Sequence, residues 1–187
     1  QLDVGQRVGR ELLAVDVARR VAARERAPGA PRGRLERQRP LAVIGFDDLG
    51  NPSHPAVILT GGLATQRTVW PNSLCMGLVD AGYRVIRFDN RDTGESTWSK
   101  EPSGEDLLRM VQSGFGPSDQ IAYTIDDLAD DIVALMDALK IECARVVGMS
   151  LGGRIAQAAA MRHPQRTAAL VSMMSTTGGP GLPPSKP

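Results

Sequence analysis

The stretch RVVGMSLGGRIAQAAAMRHP, residues 145–164, decides how the rest of the chain is read. A short apolar strand over Ala144–Val147 runs into Gly148-Met149-Ser150-Leu151-Gly152, a G-x-S-x-G pattern. A helix over Leu151–Arg162 follows, and His163-Pro164 stops it, because the residue before a proline leaves the helical region. A serine held between strand and helix must sit on a tight, strained turn. Side chains two residues to either side would collide with the neighbouring strand and helix, and glycine at 148 and 152 removes that obstacle. The helix also points its positive end at the serine, which favours negative charge developing there. The plain alternative, a glycine-rich turn with an incidental serine, does not account for the strand–turn–helix setting. Ser150 is the candidate nucleophile, and Gly148 and Gly152 shape its elbow.

Outward from the elbow the chain alternates strand and helix. LAVIGFDD, from Leu41, reads as a strand ending in the turn-rich DDLGNPSHP. Ala56–Thr60 (AVILT) is a short apolar run of the kind buried on both faces of a sheet. Helical spacing follows in TVWPNSLCMGLVDAG, up to Gly82, and Tyr83–Phe88 (YRVIRF) is the next strand. Residues 90–120 are rich in Gly, Ser, Pro and Asp and read as loop, with a short helix expected near Glu105–Gln112. Thr124 is a good N-cap, Asp126 and Asp127 favour the first turn, and Ile125, Leu128, Ile132, Leu135 and Leu139 line one helical face. A strand over Ala168–Met174 closes the series, and TTGGPGLPPSKP reads as loop. The expected class is α/β, a largely parallel sheet with flanking helices.

The bulk numbers fit one domain of ordinary composition, 42% hydrophobic and 23% charged in 187 residues. With 4% aromatics, the core must be built from Val, Leu, Ile, Ala and Met. The net charge of +1 hides an asymmetry. Residues 1–40 hold ten Arg against five acidic residues, which leaves the remainder mildly acidic and gives no reason to expect nucleic acid as a partner. Residues 1–40 read as an Arg-rich, poorly ordered extension, with a basic amphipathic helix over Glu11–Arg26 and then a Pro, Gly and Arg-rich linker. Cys75 and Cys143 show no metal spacing and read as buried free thiols. No run spans a bilayer and no signal peptide is visible, so no membrane partner is expected and the default location is cytoplasmic.

Several segments carry a closer likeness. Thr60-Gly61-Gly62-Leu63-Ala64-Thr65-Gln66 follows the first buried strand. Phe88-Asp89-Asn90-Arg91-Asp92-Thr93-Gly94-Glu95-Ser96 follows the next. The helix Asp126–Leu139, the elbow, and Met174-Ser175-Thr176-Thr177-Gly178 complete the set. In this order and spacing, residues 41–187 resemble the first part of an α/β-hydrolase, of the aclacinomycin methylesterase and proline iminopeptidase-like group. The resemblance implies a serine hydrolase, chiefly of carboxylic esters and less of amides, acting through an acyl-enzyme on Ser150 and needing no cofactor or metal. It implies an oxyanion hole from the backbone N–H groups of Leu63 and Leu151. Many relatives carry His-Gly where this chain has Gly61-Gly62, which bears on the shape of the acyl pocket. The turn from Asp89 to Ser96 is similar to the family's D-x-R-G-x-G-x-S, with Asp92 replacing glycine, and is expected to brace the loop rather than react.

A serine nucleophile needs a base and an acid to orient it, and in this family both follow the serine. After Ser150 the chain has no Asp or Glu, and its one later histidine is His163. The helix between them puts His163 roughly 18–20 Å away. His54 lies in a turn at the wrong end of its strand. The 187 residues are therefore expected to be the N-terminal part of such a domain, inactive alone, with cap and triad partners further on. Two other readings stand beside this one: a cofactor-free haloperoxidase-like activity on the same scaffold, and a non-catalytic binding module or degenerate remnant. A dehalogenase is disfavoured, since that group uses Asp where this chain has Ser150.

Overall fold

In each central strand, alternate side chains enter different cores. A computed structural model describes residues 9–15, 42–98 and 123–177. Strands β1 (Gly9–Val15), β2 (Ala42–Leu49), β3 (Ala56–Thr60), β4 (Arg84–Phe88), β5 (Ala144–Met149) and β6 (Thr167–Met173) form one sheet in the order β1-β2-β4-β3-β5-β6. The first two pairings, β1 with β2 and β2 with β4, are antiparallel, and β4, β3, β5 and β6 run parallel. Ile58, Ile86, Phe88 and Val146 face a core shared with Ile132, Leu135 and Ile155 of helices α2 (Ile125–Ala138) and α3 (Leu151–Arg162). Their neighbours Val57, Leu59 and Val85 face the opposite side, against Trp70 and Cys75, the latter on helix α1 (Asn72–Asp80). Both faces of β3 and β4 are covered, as central parallel strands require, whereas β6 at the edge is largely exposed.

The helix ends follow local chemistry. Thr124 caps α2 with a full capping box: its hydroxyl accepts from Asp127 N–H, and the Asp127 carboxylate accepts from Thr124 N–H at 2.7 Å. The helical spacing over residues 68–82 divides in two, a 3₁₀ turn at Arg67–Val69 and then α1. Pro71 is the reason. It holds Trp70 extended (φ −81°, ψ 109°), so no continuous helix can pass.

Two expectations are corrected. The helix proposed over Glu11–Arg26 does not begin as one, because residues 9–15 form β1, seven residues in antiparallel register with β2 from Gly9↔Asp48 to Val15↔Ala42. That ladder satisfies backbone groups along the β2 edge, a long-range gain that outweighs the local helical preference of GRELLAV. Cys143 is exposed rather than buried, while Cys75 is fully buried. The helix expected near Glu105–Gln112 and the chain from Gly178 onward lie outside the described residues.

Candidate active site

The parallel strands β3, β4, β5 and β6 all end at the same edge. From β3 the chain passes to β4 on one side and returns to β5 on the other, so the strand order reverses between β3 and β5. Crevices at such switch points are where open α/β sheets bind ligands. Ser150 stands there, just past the end of β5, with Thr60 of β3 paired in register with Gly148.

The elbow is close-packed on both sides. Ser150 has φ 55° and ψ −118°, a conformation that L-residues rarely hold, and its side chain is exposed. Its N–H donates to Met173 O at 2.9 Å, and its carbonyl accepts from Gly153 N–H at 3.0 Å. A β-carbon on Gly148 would fall 2.0 Å from the carbonyl oxygen of Gly152, and one on Gly152 would fall 2.2 Å from that of Thr60. Backbone cannot move aside as a side chain can. Glycine is therefore required at both positions, against α3 in one case and against the end of β3 in the other. Gly153 is also close-packed, its β-carbon direction meeting Ser175 Cβ at 2.5 Å, though there the neighbour is a side chain.

The loop after β3 wraps over the serine. A β-carbon on Gly62 would lie 3.4 Å from Ser150 Cβ, so this residue rests directly on the elbow. Leu63 and Ala64 form the tip of a turn, with Ala64 at φ 53°. Leu63 is partly buried against the core and Leu151 is buried at the first turn of α3. Among the described residues, neither the Leu63 nor the Leu151 N–H donates a hydrogen bond. Asn90 holds the base of the loop, accepting from Thr60 Oγ1 at 3.3 Å and donating to Gly61 O at 3.4 Å.

Behind the loop lies a buried charge network that the sequence reading did not find. Arg67 donates to Asp47 at 3.1 Å, to Asp89 and to Glu95, and its own N–H donates to Asp89 Oδ1 at 2.6 Å. Arg87 shares Asp47 at 2.7 Å and donates to Trp70 O at 2.6 Å. Burial opposes the Arg67 charge, but the carboxylates outweigh it and hold the guanidinium above its ordinary range. Asp89 is fully buried and also accepts from Glu95 N–H at 3.0 Å, so it braces the turn that it begins. The signal available in sequence was charge inside apolar strands: Asp47 in LAVIGFDD and Arg87 in YRVIRF. Further out, Arg91 donates to Asp131 at 2.7 Å, tying this turn to α2, and stacks over Tyr123. Burial pushes the Tyr123 phenol well up, with the Asp92 carboxylate adding to it. Burial likewise raises Asp131, against the pull of Arg91.

Neither histidine belongs to this edge. His54 closes the turn from Asn51 that leads into β3, at the opposite end of the sheet. His163 follows the last residue of α3 and meets Asp130 at 2.7 Å, where Arg162 also donates to Asp130. It helps fasten α3 to α2. Among the described residues no three His, Cys, Asp or Glu side chains gather as a metal site, and no helix is long and apolar enough to cross a membrane.

Sheet order, elbow and covering loop together define a class, and sequence comparison agrees. The α/β-hydrolase fold family matches residues 55–186, and this chain belongs to it. The chain is 34% identical over 129 residues to rhodomycin D methylesterase DauP of Streptomyces sp. (strain C5), an alignment spanning 68% of this chain and 37% of that protein. Among solved structures it resembles a hydrolase from Pseudomonas aeruginosa PA01 at TM-score 0.58 and 28% identity, covering 73% of this chain and 43% of the other. It also resembles the enol-lactonase from Burkholderia xenovorans LB400 at TM-score 0.51 and 29% identity, covering 67% and 41%. The chain thus spans less than half the length of the relatives it matches.

Proposed function

We propose that the intact protein is a serine hydrolase of carboxylic esters, working through an acyl-enzyme on Ser150. The observation that carries this reading is the backbone of Ser150: a strained residue, exposed at the switch point, between glycines that admit no side chain. Strain kept at an exposed serine is what a positioned nucleophile needs. In the same reading the Leu63 and Leu151 N–H groups receive the oxyanion of the tetrahedral intermediate. They are unengaged among the described residues and flank the serine along the chain and across the loop. The α3 N-terminus adds its positive end. The likeness to a methylesterase and a lactonase supports an ester substrate.

The acid and base of the cycle are proposed to lie beyond these residues, since no carboxylate follows Ser150 in the sequence and both histidines are placed elsewhere. The 187 residues alone should then fail to turn over. The test is Ser150→Ala in the full chain, assayed with short-chain nitrophenyl esters. A fall in kcat on the order of a thousandfold or more is expected, with loss of fluorophosphonate labelling. Ordinary turnover by the alanine variant sinks the assignment.

A further inference from the structure

The turn that carries Leu63 has an unusual clasp. Residues 62–65 form a tight turn whose backbone closure, Thr65 N–H to Gly62 O, is long at 3.4 Å. The Thr65 hydroxyl donates to the same oxygen at 2.9 Å, within the normal range for such bonds. The side chain, more than the backbone, therefore holds the turn shut. The accepting carbonyl of Gly62 and the N–H of Leu63 belong to one peptide unit. No cis bond is present among the described residues, so that unit is planar and trans, and its C=O and N–H point in opposite directions. Fixing the carbonyl on one side fixes where the N–H aims on the other. A hydrogen bond accepted by a peptide carbonyl also polarises the N–H of the same unit, strengthening it as a donor.

Two neighbouring features suit this arrangement. Gly61 leaves room for the clasp, since a β-carbon there would fall 2.7 Å from Thr65 Oγ1. Gly62 rests against Ser150, so the peptide being aimed is the one beside the serine.

We propose that Thr65 is a positioning residue for the oxyanion hole, its hydroxyl locking the Gly62–Leu63 peptide so that the Leu63 N–H is aimed and polarised for the anion formed at Ser150. This rests on the serine-hydrolase reading above. Thr65 itself touches no reacting atom.

The experiment compares Thr65→Val, which keeps the shape and removes the hydroxyl, with Thr65→Ser, which restores it. Both are made in the full chain and assayed on the same nitrophenyl ester, alongside the ¹H–¹⁵N resonance of the Leu63 amide. Thr65→Val is expected to lower kcat about ten- to a hundredfold, less than loss of a whole donor, with KM within about twofold. Its Leu63 amide signal should move, while Thr65→Ser should return both kcat and the signal close to wild type. Gly61→Ala, by displacing the hydroxyl, should reproduce the Thr65→Val loss. Wild-type kcat in Thr65→Val, an unmoved Leu63 amide, or a loss that serine does not rescue overturns the proposal. The two readings fail separately. If Ser150→Ala stays active, the parent assignment falls, and the Leu63 signal still decides whether Thr65 holds that peptide. If Ser150→Ala is dead and Thr65→Val is fully active, only the positioning role falls.

Discussion

The two ends of the sheet solve the same turning problem in opposite ways. Where the chain enters the parallel strands, left-handed backbone falls to Gly50 before β3, Gly82 before β4 and Lys140 before β5. Where it leaves them, the positive-φ residues include Ala64 after β3, Asp92 after β4, Ser150 after β5 and Met174 after β6. Each of the four parallel strands thus exits through a non-glycine residue held in a region that glycine adopts freely. Such residues cost on the order of 1–3 kcal/mol apiece and persist only where their surroundings over-determine them. The entry edge needs only to reverse direction, and mostly takes the relaxed solution. The exit edge keeps side chains at the strained points, and it is where the elbow and the Leu63 loop stand. If Ser150 is the nucleophile proposed above, the strained edge is also the working one.

The bluntest way to break the comparison is to add a methyl group at the exit edge. In Gly152→Ala the new β-carbon would fall 2.2 Å from Thr60 O and 2.5 Å from Gly61 O, both backbone atoms that no rotamer can move. We expect a stability loss of about 3 kcal/mol, at the upper end for over-packing. Urea unfolding midpoints on the full chain measure it. A loss under about 0.5 kcal/mol would mean that β3 and α3 are less tightly apposed than the elbow requires.

A subtler variant separates strain from chemistry. Ser150→Gly removes the side chain and the conformational penalty together. Turnover should vanish, while stability should rise by about 1 kcal/mol after allowing for glycine's greater entropy in the unfolded chain. Opposite signs in two measurements on one variant, a thermal melt and an ester assay, are the signature of a residue retained for function at the expense of stability. A fall in stability instead would show that the serine side chain supports the elbow, and the strain argument would lose its best case.

How much of this edge could be read beforehand depended on how local its cause is. The elbow was legible because its pattern is written within five residues. Gly148 is required by the first turn of α3, which a strand–turn–helix always brings near. The reason for Gly152, the carbonyls of Thr60 and Gly61 at the end of β3, lies far back in the chain and shows only in the fold. The Thr124 cap was legible for the same reason, its partner Asp127 being three positions away. The Arg67 network was not. Asp47, Arg67 and Asp89 are about twenty residues apart in turn, and only the pairing of β2 with β4 beside β3 assembles them. The Asp89 turn could be recognised as a brace, but not what it braces. For β1 the local and long-range signals conflicted. GRELLAV taken alone suits a helix, and the edge of β2 that captures it as a strand lies some thirty residues on. The clasp of Thr65 on Gly62 is local, yet a threonine three residues after a glycine carries no distinctive spacing, so it emerged only from the geometry.

The smallest test concerns the one exception at the entry edge. Lys140 sits just past the end of α2 at φ 57°, in a Schellman arrangement: Ile141 N–H donates to Met136 O at 2.7 Å, and Lys140 N–H donates to Asp137 O at 3.0 Å. That position ordinarily takes glycine, and the exposed lysine side chain contributes only a weak favourable interaction with the helix end. If the entry edge has no use for strained side chains, Lys140→Gly should raise stability by about 0.5–1 kcal/mol and Tm by about 2 °C, with ester turnover unchanged. Lower activity would bring Lys140 into the working apparatus and blur the contrast between the edges. A gain in stability at constant activity would leave the strained exits as the sheet's functional side.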